Sequence, residues 1–213
     1  MKSALITIGA TREYIDPVRY ISNESSGLQG MAIIEHLIKN KIKTICLCGH
    51  ISAEKIVSPY IKYINVTNAK DMLKAAKKYS SVDIAIFNAA VSDYRVKKIS
   101  LTKIKKQENL ILSLIKNPDI LLSISSMKKR PKIVVGFAYE TNNYKAYAKK
   151  KLIDKNCDYL VLNYPYKDNK IFSNKKNNGL ILDRNFKWTN IGNVTKKSFA
   201  EKIVQHIISN SND

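Results

Sequence analysis

Residues 3–10 read SALITIGA and residues 27–40 read GLQGMAIIEHLIKN. The first is a short apolar, β-branched run that stops at a glycine. In the second, Met31, Ile34, Leu37 and Ile38 recur at helical spacing, so a strand is followed by a helix. The same alternation continues outward from this pair. Residues 44–48, 61–66 and 82–87 read as strands, and residues 69–79 as a helix capped by Thr67 or Asn68. Strands alternating with helices predict an α/β fold, a Rossmann-like, doubly wound, mainly parallel sheet with helices on both faces.

The middle of the chain is less regular. Residues 94–107 are polar and lysine-rich and read as a mobile loop, and residues 110–115 read as a strand that Asn117 and Pro118 break. Beyond them the pattern predicts a helix over 119–127, a buried strand over 133–138, a helix over 143–155 capped by Asn142, and a strand over 159–163. Apolar runs at 179–182 and 187–191 flank a turn at 183–186, a hairpin signal. Ser198 with Glu201 makes a capping box for a last amphipathic helix. With no internal repeat or linker, residues 1–213 read as a single domain carrying a small hairpin or flap region.

Composition narrows the class further. Of the 213 residues, 45% are hydrophobic and 25% charged, with few Gly or Pro, which excludes a disordered or collagen-like chain. No apolar run reaches the length of a membrane span, and the first strand lacks the features of a signal peptide, so a cytoplasmic protein without membrane contact is expected. Three cysteines do not make a disulfide framework, and strand spacing points Cys46 and Cys48 to one face as buried thiols. His36, His50 and His206 share no metal-ligand spacing. The net charge of +20 attracts anions, but the lysines are scattered among Ile, Asn and Tyr and form no single nucleic-acid-binding arm.

In a parallel α/β sheet ligands sit at the carboxyl ends of the strands, so the loops after Ile8, Phe87 and Ala138 should converge on one cleft. The first, residues 9–30, carries Ser25, Ser26 and Gly27 just before a helix, and Gly30 permits close backbone approach. Free amides at a helix N-terminus suit a phosphate, although a plain structural turn reads equally well. The second, Asn88-Ala-Ala-Val-Ser-Asp-Tyr-Arg95, has small residues against which a flat ring could lie and an Asp93 placed for a ribose or a metal. Lys103-Ile-Lys-Lys106 would suit a flap over a triphosphate, or be a solvated charge run.

Together DPVRYISN with ESSG (residues 16–27), AAVSDYR (89–95), KIKK (103–106), KNPDIL (116–121) and GFAYETNN (136–143) resemble phosphopantothenoylcysteine synthetase, the ligase half of the bacterial bifunctional coenzyme A enzyme. The likeness runs over nearly the whole chain, in the family's order and spacing. It implies a two-step ligation. The carboxylate of 4′-phosphopantothenate attacks the α-phosphate of CTP, releasing pyrophosphate and leaving an acyl-cytidylate, and the amine of L-cysteine then displaces CMP.

By the same resemblance Asn23 holds the activated acyl group, Arg19 positions the phosphopantothenate end, and Lys103 closes with its loop and supports the second step. Ser25, Ser26, Gly27, Ala89 and Ala90 complete the acid's site. The nucleotide lies against Phe87, Asn88 and Ala89, bonds Asp93 and Lys103, meets Pro118, Asp119, Ile120 and Leu121 and the ring of Phe137, and gives its phosphates to Lys151 and Lys155. Mg²⁺ is implied, held mainly through the triphosphate, with no flavin. The bifunctional enzyme's flavin-dependent decarboxylase has no counterpart here, so the chain is expected to be either an excised domain or the partner of a separate decarboxylase. The first loop resembles the fused bacterial form, which favours CTP over ATP. A homodimer is implied, with the region near Leu110 or the segment before it at the interface.

Two other classes compete. A nicotinamide-dependent short-chain dehydrogenase would use Tyr147 with Lys151, but Tyr94 with Lys98 and Tyr166 with Lys170 show the same spacing, and Gly9 lacks the glycine partners of a dinucleotide turn. A basic nucleic-acid-binding module would rest on net charge alone.

Overall fold

The computed structural model describes residues 2–106, 108–165 and 176–210. The chain runs β1 (Ser3–Ile8), β2 (Arg12–Tyr14), β3 (Tyr20–Ser22), α1 (Leu28–Lys39), β4 (Lys43–Cys48), β5 (Ile61–Asn65), α2 (Ala69–Lys78), β6 (Ile84–Phe87), β7 (Tyr94–Val96) and β8 (Leu114–Lys116). It continues through α3 (Ile120–Ser125), β9 (Ile133–Tyr139), α4 (Tyr144–Asp154), β10 (Tyr159–Asn163), β11 (Lys176–Asp183), β12 (Trp188–Thr195) and α5 (Lys196–Ser209). An eight-stranded sheet has the order β12-β11-β10-β9-β6-β1-β4-β5. From β10 to β5 every pairing is parallel, and β11 and β12 close the other edge antiparallel. The expected doubly wound sheet is therefore present, with its order reversing between β1 and β6.

Both faces are covered because the central strands are apolar on both sides. Ala4, Ile6 and Ile8 of β1 pack with Cys46 and Cys48 against α1 and α5, around the fully buried Phe199. Leu5, Leu47, Ala85 and Phe87 face the other way, onto Met72 and Ala76 of α2 and Ile120 and Ile124 of α3. A third cluster seats Ala148 and Leu152 of α4 on Leu160, Leu162, Leu180 and Leu182. Cys46 and Cys48 do share a face, and they and Cys157 are buried free thiols. Among the described residues no helix is long and apolar enough to cross a membrane.

Several local expectations move. The last helix begins at Lys196 and not at Ser198: Thr195 is its cap, accepting from the Ser198 amide at 3.2 Å. Helix α4 is preceded by Asn143 in the left-handed region at φ 40, and Asn142 does not cap it. Asn68, and not Thr67, caps α2. The strand expected over 110–115 is only β8, which pairs antiparallel with β7 outside the main sheet. Part of the expected loop is thus the strand β7. The first loop folds into a second small hairpin, β2–β3, that three-residue strands do not announce in the sequence. It is anchored by Glu13, whose buried carboxylate accepts the Ala69 amide at the start of α2 at 2.8 Å. The Tyr166–Lys170 pair lies outside the described residues.

The close approach expected at Gly30 is steric fact. A Cβ there would lie 2.3 Å from Ile8 Cγ2 and 3.0 Å from Asn88 Oδ1. Gly30→Ala should therefore destabilise the fold by about 1–3 kcal/mol through overpacking of α1 on β1, read as a lower denaturant midpoint at unchanged slope.

Candidate active site

The loops after β1, β6 and β9 meet above the reversal in strand order. Ala10 bridges both neighbours, His50 on one side and Ala90 on the other. Its amide donates to His50 O at 3.0 Å, the Ala90 amide donates to Gly9 O at 2.8 Å, and the Thr11 amide to Ala90 O at 3.3 Å. Side chains then stitch the loops together. Thr11 Oγ1 accepts from Ser92 N at 2.9 Å, Thr7 Oγ1 from Ala89 N at 3.2 Å, and Asn23 Nδ2 donates to Val91 O at 3.0 Å. Asn117 Nδ2 donates to Ser92 O at 2.8 Å, bringing the turn before α3 into the same cluster.

Two clefts result. The first, about 310 Å³, is bounded by Phe87 and Ala89, by Asp93, by the turn from Pro118 to Leu121, and by Phe137 with Lys151 and Lys155. The second, about 580 Å³, lies on the α1 side and is lined by Asn23, Ser25, Ser26, Gly27, Asn88 and Ala90, with Gln29, Asn177 and Lys196 at its far wall. Ala89, Val91, Asp93, Phe137 and Lys151 line both, so the clefts adjoin.

The expected residues divide accordingly. Of the nucleotide set, Phe87, Ala89, Asp93, Pro118, Asp119, Ile120, Leu121, Phe137, Lys151 and Lys155 lie in the first cleft, while Asn88 lies in the second. The acid set, Asn23, Ser25, Ser26, Gly27, Ala89 and Ala90, lies together in the second. Arg19 and Lys103 line neither. Arg19 bonds the Asp16 carboxylate and the Ile104 carbonyl, and Lys103 is exposed.

Electrostatics distinguish Lys151 of α4 from Lys155, which caps its C-terminus. Lys155 pairs with Asp119, whose other oxygen caps α3 by accepting the Leu122 amide at 2.9 Å. Burial lowers the pKa of Lys151, opposed by the nearby Glu140 carboxylate and helped by the charge on Lys155. A partly desolvated cation held between two clefts is poised to receive a negative charge. Gly27 stands in the left-handed region at φ 78, where a Cβ would strike Ile51, so only glycine fits at this entry to α1. Sequence reasoning missed Thr11, Asp16 and Asn117, all buried and all acting through backbone groups distant in sequence. The dehydrogenase pair fails geometrically, since Tyr147 is 45% exposed and lines neither cleft.

Fold and clefts together define the class, a doubly wound α/β domain with its concave site at the carboxyl ends of the strands. Within that class the chain belongs to the DNA/pantothenate metabolism flavoprotein C-terminal domain family, which it matches over residues 1–210. It is 41% identical over 166 residues to the coenzyme A biosynthesis bifunctional protein CoaBC of Vibrio vulnificus (strain YJ016), covering 76% of this chain and 41% of that protein. To the CoaBC protein of Escherichia coli (strain K12) it is 39% identical over 183 residues, 84% of this chain and 44% of that protein. The chain thus spans about two-fifths of the length of these curated relatives. A crystal structure of the C-terminal domain of CoaBC superposes with a TM-score of 0.83 at 32% identity, covering 100% of this chain and 97% of that one. The likeness read from the five motifs is borne out as membership of the family.

Lys151 carries opposite consequences for folding and for binding. Its pKa in the fold is lowered, so the unfolded chain holds the proton more tightly, and stability contributed here rises with pH as the folded-state pKa is passed toward the ordinary lysine value. Removing the charge should relieve that cost. Lys151→Met is expected to keep or raise the melting temperature while weakening binding of pyrophosphate, an anionic probe, by about tenfold or more, measured by calorimetry.

Proposed function

We propose that this chain is a phosphopantothenate–cysteine ligase of coenzyme A biosynthesis, acting through an acyl-cytidylate made from 4′-phosphopantothenate and CTP. The observation that carries this reading is the pair of adjoining clefts. One is lined by lysines and an apolar turn, the other by Asn23 and the start of α1, and they meet at Ala89, Asp93, Phe137 and Lys151. Two anions must be brought into contact for the first step, and that step calls for alignment and charge neutralisation more than for a covalent nucleophile.

In this reading the nucleotide occupies the first cleft. Its base and sugar lie against Phe87, Ala89 and Phe137, Asp93 bonds the ribose, and the phosphates face Lys151 and Lys155. Phosphopantothenate occupies the second cleft, one end toward the amides before Leu28 and its carboxylate toward the shared wall. Asn23, already braced on the Val91 carbonyl, holds the activated acyl group, and Lys103 supports attack by the cysteine amine with its segment closed. Lys155 reaches a phosphate by exchanging its Asp119 partner for it. Mg²⁺ would be held mainly by the triphosphate, whose charge it would neutralise. Among the described residues no group of three His, Cys, Asp or Glu could hold a metal.

A homodimer fits the exposed apolar side chains near β7 and β8. Leu101 is 92% and Ile111 93% exposed, with Tyr94, Ile99, Leu110 and Leu114 alongside. A patch of this kind on a soluble domain marks a surface that another chain covers. Light scattering should give twice the 24.2 kDa chain mass, and a monomer at working concentration would dispose of the dimer. A decarboxylase acting on the product would belong either to the same longer polypeptide or to a separate one.

Pyrophosphate release and amide formation, measured separately, test the chemistry. Asn23→Asp should impair retention of the activated acid. Lys103→Gln should slow amide formation by about 100-fold while changing pyrophosphate release by less than about threefold. Equal loss of both steps would show that Lys103 is misassigned. Turnover with CTP, ATP, GTP and UTP should favour CTP strongly, and comparable rates with all four would defeat the choice of base.

A further inference from the structure

Asp16 is fully buried, and both of its carboxylate oxygens are occupied. Oδ1 accepts the Val18 and Arg19 amides, each at 2.9 Å, which closes the turn between β2 and β3. A turn of this kind needs one side-chain oxygen only. Oδ2 faces elsewhere. It accepts Arg19 Nε at 2.9 Å and Nη2 at 2.5 Å, and also the amide of Ile104 at 3.2 Å, 88 residues away. Arg19 Nη2 in turn donates to the Ile104 carbonyl at 3.1 Å. Both backbone groups of Ile104 are therefore held by one ion pair, and nearby the Ser100 amide donates to Ile15 O at 2.9 Å.

Ile104 sits directly after Lys103 and before Lys105 and Lys106, all three exposed, in a stretch that belongs to no strand or helix. The hairpin that carries Asp16 leads straight into Asn23, which is fixed on the Val91 carbonyl at the shared wall of the clefts. We infer that the Asp16–Arg19 pair is a latch, a positioning device that clasps the backbone of Ile104 and so sets Lys103 relative to Asn23. The Arg19 guanidinium acts through the segment it holds, which explains why it lines neither cleft. The inference rests on the ligase reading for the step that Lys103 serves, and on geometry alone for the clasp. The guanidinium also holds the Asp16 carboxyl far below the usual carboxylate range, so the ion pair persists across the neutral and mildly acidic range.

Two readouts keep the clasp and its use apart. Trypsin cuts after lysine, so its rate at Lys103, Lys105 and Lys106 measures how often the segment opens. With charged hydrogen bonds lost, Asp16→Asn and Arg19→Gln should each speed that cleavage by about tenfold or more, and unchanged rates in both would overturn the latch. Arg19→Gln leaves the two turn amides on Asp16, so it serves where Asp16→Asn fails to fold. In single-turnover assays, Asp16→Asn should slow the cysteine-dependent step more than pyrophosphate release, and should add less than about a twofold loss when combined with Lys103→Gln. Fully multiplicative losses would mean that the pair does not act through Lys103. If the wild-type chain released no pyrophosphate at all, the ligase reading would fail, and proteolysis would still decide the clasp.

Discussion

The reversal in strand order between β1 and β6 is the constraint on which the site depends. Parallel neighbours on both sides of β1 oblige the chain to leave the sheet between two loops, and the backbone responds with Ala10 bonding His50 on one side while Gly9 and Thr11 bond Ala90 on the other. That bridging fixes the depth at which the loop after β6 runs. From it follow the position of Asn23 against Val91, the division of the concavity into two adjoining halves, and the reach of Lys151 to their common wall. The glycines at 27 and 30 matter for the same reason. Each lets a loop or helix come within side-chain distance of Ile51 or Ile8.

Charge is distributed with more discrimination than a net value of +20 suggests. Several cations are committed to structure. Arg130 and Arg184 both pair with Asp158, which also accepts the Val134 amide at 2.7 Å and so ties β9 to the start of β10. Lys132 holds Asp83 beside Ser3, lowering the pKa of that carboxyl to about 2. Such pairs are partly exposed and contribute modestly to stability. Lys151 differs in that burial disfavours its charge, a local cost that folding alone does not explain and that an anionic ligand would offset.

Much of this was legible in the sequence because the core strands are continuous apolar runs and the helices repeat at their own period. Residues 3–8, 43–48 and 133–139 could hardly be anything but buried parallel strands, and the rule that ligands gather at their carboxyl ends then picked out the loops. What stayed hidden lacks a period. The β2–β3 hairpin has strands of three residues each, too short to alternate. Thr11, Asp16 and Asn117 matter through bonds to backbone groups 81, 88 and 25 residues away, which local pattern does not encode. Leu110 and Ile111 misled in the opposite direction: their apolarity suggests a strand, yet both lie before β8 and are exposed.

The burial of the three sulfurs has a kinetic consequence. Cys46 and Cys48 lie beneath α1 and Cys157 beneath α4, and burial pushes the Cys157 thiol up to about 12. Only a thiolate that meets its reagent reacts at an appreciable rate, so alkylation or disulfide exchange must wait for the surrounding layers to part. The sulfurs thus act as internal reporters on the two faces of the sheet, silent while the helices stay seated and counting each excursion in which one lifts away.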